Sequence, residues 1–339
     1  MKAKRYVVAS LGSAAMMVLI LDSKTAIAAG VAGIDLCLRT LIPALFPFLV
    51  ASALLTGAMM GQPIRLLAPL GNVLGIPEGT EFLLVVGFLG GYPVGADHVS
   101  RSCRMGALDR QNAERMLAFC CNAGPSFLFG IIGPQFEGKL IPWFLWGIHI
   151  TGALITGILS AHGPEKAGSL LSCQAYSMSG ILRSCVSTMG IICGWVILFR
   201  VMMGFLNRWF LWALPVSVQV LISGLLELSN GCSRLMEISS EGIRYLVAAV
   251  MLSLGGGCVT MQTVSACGGL SLRWYLIGKL MQCCISILLC CATQFLFVPE
   301  QRVDIPAFVV PAVILMTGIL GFALSAQKKS SGNIALVDV

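Results

Sequence analysis

An apolar run that breaks in its own middle constrains this chain most. Leu83-Leu84-Val85-Val86-Gly87-Phe88-Leu89 reads as helix, Gly90-Gly91-Tyr92-Pro93 interrupts it, and Val94-Gly95-Ala96-Asp97-His98-Val99-Ser100 resumes it. Glycine leaves the helical backbone free and proline removes an N–H, yet proline is favoured at the first position of a new helix. The expected pattern is helix, break, helix, with Pro93 near the start of the second half. Each half of the stretch 80–104 has about 10–12 residues, too few to cross a hydrocarbon core of about 30 Å at about 1.5 Å per residue. A re-entrant hairpin, in and out on one side, fits better than a straight span. Irregular backbone at that depth is tolerated only where it is buried in protein or lines a cavity, so a site is expected here.

Composition supplies the bilayer that this argument needs. Of 339 residues, 57% are hydrophobic and 11% charged, less than half the ~25% charged share of a soluble domain. The class is an all-α integral membrane protein that crosses the bilayer several times. The net charge of +7 is scattered, with no basic run dense enough for nucleic acid. The 14 cysteines include no C-x-x-C spacing and mostly lie in apolar runs, in a chain with only 3 histidines. They read as small packing residues, and neither a metal, a cofactor nor a disulfide framework is expected.

The break has a weaker copy downstream. Leu89-Gly90-Gly91 recurs as Leu254-Gly255-Gly256, an offset of 165 residues. At the same offset Val94 meets Val259, Val99-Ser100 meets Val264-Ser265, and Asp97 meets Gln262. The second broken element is placed at 243–267.

Around these breaks the chain divides into two similar parts. Residues 1–27 are expected to form an N-terminal anchor helix. Its run Tyr6–Leu21 is short for a span, and Ala26-Ile27-Ala28 resembles a cleavage site, so a removed signal segment is the alternative. Ile27, Val31, Ile34 and Leu38 make a helical stripe flanked by Lys24, Asp35 and Arg39, expected to lie in the interface. A second short amphipathic piece is placed at 62–77. Full spans are expected at 40–60, 110–133 and 140–160 in the first part, and at 180–206, 273–298 and 306–325 in the second, with 162–176 as linker and 327–339 as polar tail. An apolar stretch, Trp212–Glu227, is interrupted by Pro215 and Gly224. Three crossings plus one hairpin per part would turn the second part upside down relative to the first, an inverted repeat whose hairpins enter from opposite faces. The positive charges leave orientation open, although the cluster in 101–115 favours a cytoplasmic loop.

Helix starts at the breaks offer free amides and a positive dipole end, suited to an anion or a hydrogen-bonding heterocycle. The candidate substrate-binding residues are Gly90, Gly91, Tyr92, Pro93, Gly95, Asn122, Gly124, Ser126, Gly255, Gly256, Thr260, Gln262 and Thr263. The bland alternative is that the glycines only let helices pack closely. Asp97, His98, Glu227 and Asn230 are candidates for ion or proton coupling, since an intramembrane ionisable group is a functional hypothesis by default. Glu227 could equally cap the turn at Asn230-Gly231. His149 reads as a hydrogen-bonded structural residue. No Ser-His-Asp, H-E-x-x-H or P-loop spacing occurs, so an enzyme is not expected.

Gly90-Gly91-Tyr92-Pro93-Val94-Gly95-Ala96, Cys121-Asn122-Ala123-Gly124-Pro125, Glu227-Leu228-Ser229-Asn230-Gly231 and Gly268-Gly269-Leu270-Ser271-Leu272-Arg273-Trp274-Tyr275-Leu276-Ile277-Gly278-Lys279-Leu280 together resemble the YlbJ-like sporulation integral membrane proteins of the nucleoside-recognition (Gate) superfamily. The resemblance implies Gate-like repeats at 28–161 and 177–326. It implies movement of dipicolinic acid across the outer forespore membrane, with a small anion or nucleoside and the lipid bilayer as partners. Cys121 stands where the family usually has a second asparagine. An ion-coupled nucleoside transporter and a non-transporting scaffold of sporulation are the alternatives, and the oligomeric state, a homo-oligomer included, stays open.

Overall fold

A computed structural model describes residues 2–161, 177–297 and 313–321. The expected linker 162–176 and tail 327–339 lie outside these residues. Of the expected span 306–325 only 313–321 is described, and it is helical. Among the described residues all regular structure is helical, and the chain is an all-α integral membrane protein.

Helix α1 runs Lys2–Leu21. It is followed by α2 (Ser23–Leu36), a π-helical turn (Cys37–Leu41) and α3 (Ile42–Met59). The expected separation of an interfacial helix from a span at 40–60 does not hold: Ser23–Met59 is one 37-residue helical run. Pro43 follows the π-helical turn inside this run and supplies no N–H to it. The π-helical turn just before it closes through the Ile42 N–H to Cys37 O. The stripe of Ile27, Val31, Ile34 and Leu38 is exposed. The face that α2 buries is made of small residues instead, and an apolar stripe pointing outward is what lipid contact asks of a membrane helix.

The first part continues with α4 (Ala68–Leu74), α5 (Phe82–Leu89), α6 (Val94–Arg104) and α7 (Arg110–Met116). Asp109 caps α7 by accepting from the Asn112 N–H at 2.8 Å, as expected of an N-cap. The polar 101–115 segment is not wholly solvated. Arg115 is fully buried and donates to Leu74 O (2.8 Å) and Gly75 O (2.5 Å) at the end of α4, satisfying carbonyls that the helix itself cannot.

The expected span 110–133 is not a continuous helix. After α7 the chain is irregular through Cys121–Gly124. It resumes with the single turn α8 (Pro125–Phe127) and a π-helical turn (Leu128–Ile132). Apolar composition hid a second break, forced by Gly124-Pro125 and held open by Asn122. Helix α9 (Ile141–Ser160) closes this part.

The second part holds α10 (Met178–Trp209), α11 (Val216–Leu226), α12 (Leu228–Cys232), α13 (Glu241–Leu254), α14 (Gly256–Ala266) and α15 (Arg273–Phe297). The expected second broken element is present, joined at Gly255 with φ +73°. Five helical runs are long and apolar enough to cross a membrane: Ser23–Met59, Ile141–Ser160, Met178–Trp209, Glu241–Ala266 and Arg273–Gln294. Burial sorts them. The Glu241–Ala266 run is 72% buried in its apolar window and Met178–Trp209 only 28%, so α13–α14 form the middle and α10 meets lipid. Helices α9, α13 and α15 pack together, while α10 lies along α2 and touches α3 and α14.

Candidate functional site

The two breaks predicted from the sequence meet. In the first, α5 and α6 fold back on each other through glycines: a Cβ on Gly95 would lie 3.1 Å from Gly87 Cα. This is the expected hairpin. Gly91 adopts φ +81° and the Tyr92–Pro93 peptide is cis. The turn throws Tyr92 toward the second break, where its hydroxyl donates to Leu252 O at 3.0 Å. A Cβ on Gly255 would come within 3.2 Å of Tyr92 Cζ. Helix α14 also packs on α6, and Ser100 Oγ donates to Cys267 O at 2.9 Å.

The helix starts at these breaks are closely packed. At the first, Gly95 lies so close to the Cys120 carbonyl that a Cβ would come within 1.8 Å of the oxygen, and the Cys121 thiol accepts from the Ala96 N–H. At the second, α14 abuts the finish of α11: a Cβ on Gly256 would lie 2.7 Å from Gly224 O and 3.1 Å from Leu225 O. Gly90 belongs to the same close packing, with a would-be Cβ 2.6 Å from Val86 O.

A small cleft, with about 40 Å³ of room for water-sized molecules, opens beside this junction. Leu41, Leu45, Phe127, Ile192, Val196 and Val259 give it apolar walls, and Tyr92, Glu227, Ser229 and Gln262 give it polar groups. Gly91, Ala123 and Gly124 bring backbone to its edge. Of the sequence candidates, Gly91, Tyr92, Gly124, Gln262 and Glu227 therefore line one cavity. Pro93 caps α6 just behind it. Thr260 and Thr263 turn back onto their own helix, bonding Gly256 O and Val259 O at 2.9 Å each. Ser126 lies on α8, half-buried, away from the lining.

Glu227 is buried and does cap a helix. Its carboxylate accepts from the Ser229 N–H (3.1 Å), the Ser229 hydroxyl (2.5 Å) and the Asn230 N–H (2.7 Å). The capping alternative holds, and the same carboxylate faces the cleft. Asn230 accepts a hydrogen bond from Arg200 of α10, whose guanidinium also acts electrostatically on Glu227.

Behind Tyr92 lies a buried polar network that the sequence reading missed. Lys279 of α15 donates to Tyr92 Oη (3.1 Å), to Gln282 Oε1 (2.7 Å) and to the Cys121 carbonyl. Gln282 Nε2 donates to Asn122 Oδ1 (3.1 Å) and His149 O (3.0 Å). Asn122 Nδ2 in turn donates to Phe119 O at 2.6 Å. His149 Nε2 accepts from the Ala123 N–H at 3.0 Å, so that nitrogen carries no proton here and the ring acts as a structural acceptor, as expected. Lys279 and Arg200 were legible in principle. Each is a cation inside an apolar helix, away from the breaks where the sequence expects the site.

Asp97 and His98 go elsewhere. Asp97 pairs with Arg101 at 2.9 Å, and Arg101 also donates to Ser184 Oγ at 2.5 Å. His98 sits between Ser52 Oγ (3.1 Å) and Thr56 Oγ1 (2.9 Å). His98, Arg101, Thr56 and Ser184 line a separate cavity, so neither Asp97 nor His98 joins the cleft.

These features define a class: a polytopic membrane protein whose interrupted helices converge on a small internal cleft. Within that class the chain is similar to the sporulation integral membrane protein YlbJ of Bacillus subtilis (strain 168), at 22% identity over 297 residues, covering 74% of this chain and 73% of the relative. The relationship is distant, and it agrees with a multi-pass protein related to sporulation membrane proteins. No protein-family model matches the chain, and no solved structure matches it.

Proposed function

We propose that this chain is a transporter, not an enzyme, that carries a small anionic solute across a membrane of the sporulating cell, with dipicolinic acid the solute to test first. One observation carries the reading: both broken helical segments contribute to a single cleft, Gly91 and Tyr92 from the first and Val259 and Gln262 from the second. Mostly apolar walls with a few convergent polar groups are the usual make-up of a small-molecule site. Two cations, Lys279 and Arg200, stand behind the lining against one carboxylate, Glu227. That balance favours an anion.

On this reading the two parts are inverted copies that rock about the cleft, and Glu227 carries the coupling proton or cation. The relative's name, a sporulation integral membrane protein, supports a role in sporulation. The outer forespore membrane is the location that follows from the resemblance. The cleft also offers an amide (Gln262), a hydroxyl (Ser229) and a carboxylate (Glu227), a set that would serve a nucleoside.

Uptake by the purified chain in proteoliposomes separates the two. Accumulation of radiolabelled dipicolinate, with uridine a poor competitor, is the expected result; the reverse order of competition replaces the solute, and no uptake of either removes the transport reading. Deletion in a spore-forming host should lower spore dipicolinate, with restoration by this chain. A scaffold is distinguished by Pro93→Ala, which should reduce transport at normal protein abundance.

A further inference from the structure

Lys279 is 3% exposed, on a helix that is long and apolar enough to cross the bilayer. Its three hydrogen-bond partners, Tyr92 Oη, Gln282 Oε1 and Cys121 O, are all neutral. The ammonium also stands 5.0 Å from the centroid of the Tyr92 ring and 6.0 Å from that of Tyr275. Among the described residues no carboxylate pairs with it. Glu227, the one carboxylate of the cleft lining, is bonded to the start of α12. A buried charge without a counter-ion is costly, and intramembrane charges that persist mark solute and ion pathways. The ring that Lys279 leans on is itself a wall of the cleft.

We infer that Lys279 is the charge that sets the selectivity of the cleft, and that the carboxylate of the solute is the counter-ion the protein does not supply. This rests on the transport reading and adds to it the residue that decides the solute class. Lys279 is a positioning residue: it acts on the solute through its field and through Tyr92, across one aromatic ring. In a water-poor interior such a field extends over several ångströms. The cleft therefore prefers a planar carboxylate to a neutral molecule of the same shape.

The test compares dipicolinate with pyridine-2,6-dicarboxamide, which keeps the ring and loses both charges. The full chain in proteoliposomes is assayed for dipicolinate uptake with each compound as competitor. The wild type should prefer the diacid at least tenfold, Lys279→Arg should keep that ratio within about threefold, and Lys279→Gln should bring it close to one while raising the KM for dipicolinate more than it lowers the maximal rate. A purely structural lysine would weaken both compounds together and leave the ratio unchanged, which overturns the inference. Should Lys279→Gln fail to fold, thermal stabilisation of the detergent-solubilised wild type by each compound replaces it: equal stabilisation overturns the inference, and stabilisation by the diacid alone supports it. Uptake without charge preference removes only this inference, whereas absence of any uptake removes the transport reading with it.

Discussion

At Gly95 the packing leaves no room for a methyl group. A Cβ there would fall 1.8 Å from the Cys120 carbonyl oxygen, which is backbone and cannot swing away. Gly95→Ala should therefore cost more than about 3 kcal/mol, read as a large drop in the thermal midpoint of the protein in detergent or as loss of expression. Gly190, in the interior of α10, has nothing within 4 Å of its Cβ position. Gly190→Ala should instead stabilise by about 0.5–1 kcal/mol, the usual gain from removing backbone freedom in a helix. Glu227→Gln keeps an oxygen for the cap but loses the charge. It should cost about 1 kcal/mol of stability and flatten the pH dependence of uptake, measured in liposomes with an imposed proton gradient. At this scale the sequence was informative where a residue type is forced. Gly91, with its positive φ, and Glu227, an isolated carboxylate before a short helix, were both readable. The partners of Lys279 and Gln282 were not, because Tyr92, Cys121 and Asn122 are brought to them only by folding.

At the scale of elements, the hairpin α5–α6 was legible because Gly-Gly-Tyr-Pro leaves the backbone no helical alternative. The segment 110–133 reads as a span from its apolar composition, which conceals the irregular stretch Cys121–Gly124. The stripe on α2 was visible but assigned to the interface. Sequence periodicity reports that one face is apolar, and it does not say whether that face meets protein or lipid. The α2–α10 contact rests on small residues: a Cβ on Gly33 would lie 3.1 Å from Ile197 Cα, and one on Gly204 2.7 Å from Ala29 Cβ. Gly33→Leu should force the two helices apart and destabilise by about 1–3 kcal/mol, seen as a lowered unfolding midpoint, whereas Ile34→Leu on the exposed face should change it little.

For the whole molecule, the hydropathy of the chain announced a polytopic membrane protein, and five spanning runs bear this out among the described residues. Which helices sit in the middle was not readable, since burial against protein and burial in lipid select the same side chains. Cysteine chemistry offers a check on the arrangement. Cys120, Cys121, Cys232, Cys258 and Cys290 are buried, whereas Cys103, at the polar end of α6, is partly exposed. A membrane-impermeant maleimide should label Cys103 from one side of sealed vesicles only and reach the buried thiols only after denaturation. Peptide mapping by mass spectrometry reads both outcomes, and labelling of Cys103 from either side would refute a fixed orientation.

The abutted helix ends have a consequence for how such a machine could move. Pulling α14 away from α11, or α6 away from Cys120, would open the close backbone packing that only glycine permits at Gly95 and Gly256. These junctions behave as welds, so each pair must travel as one rigid block. Any gate has to open along the seam between the blocks, where Tyr92 holds Leu252 at one end and Ser100 holds Cys267 at the other.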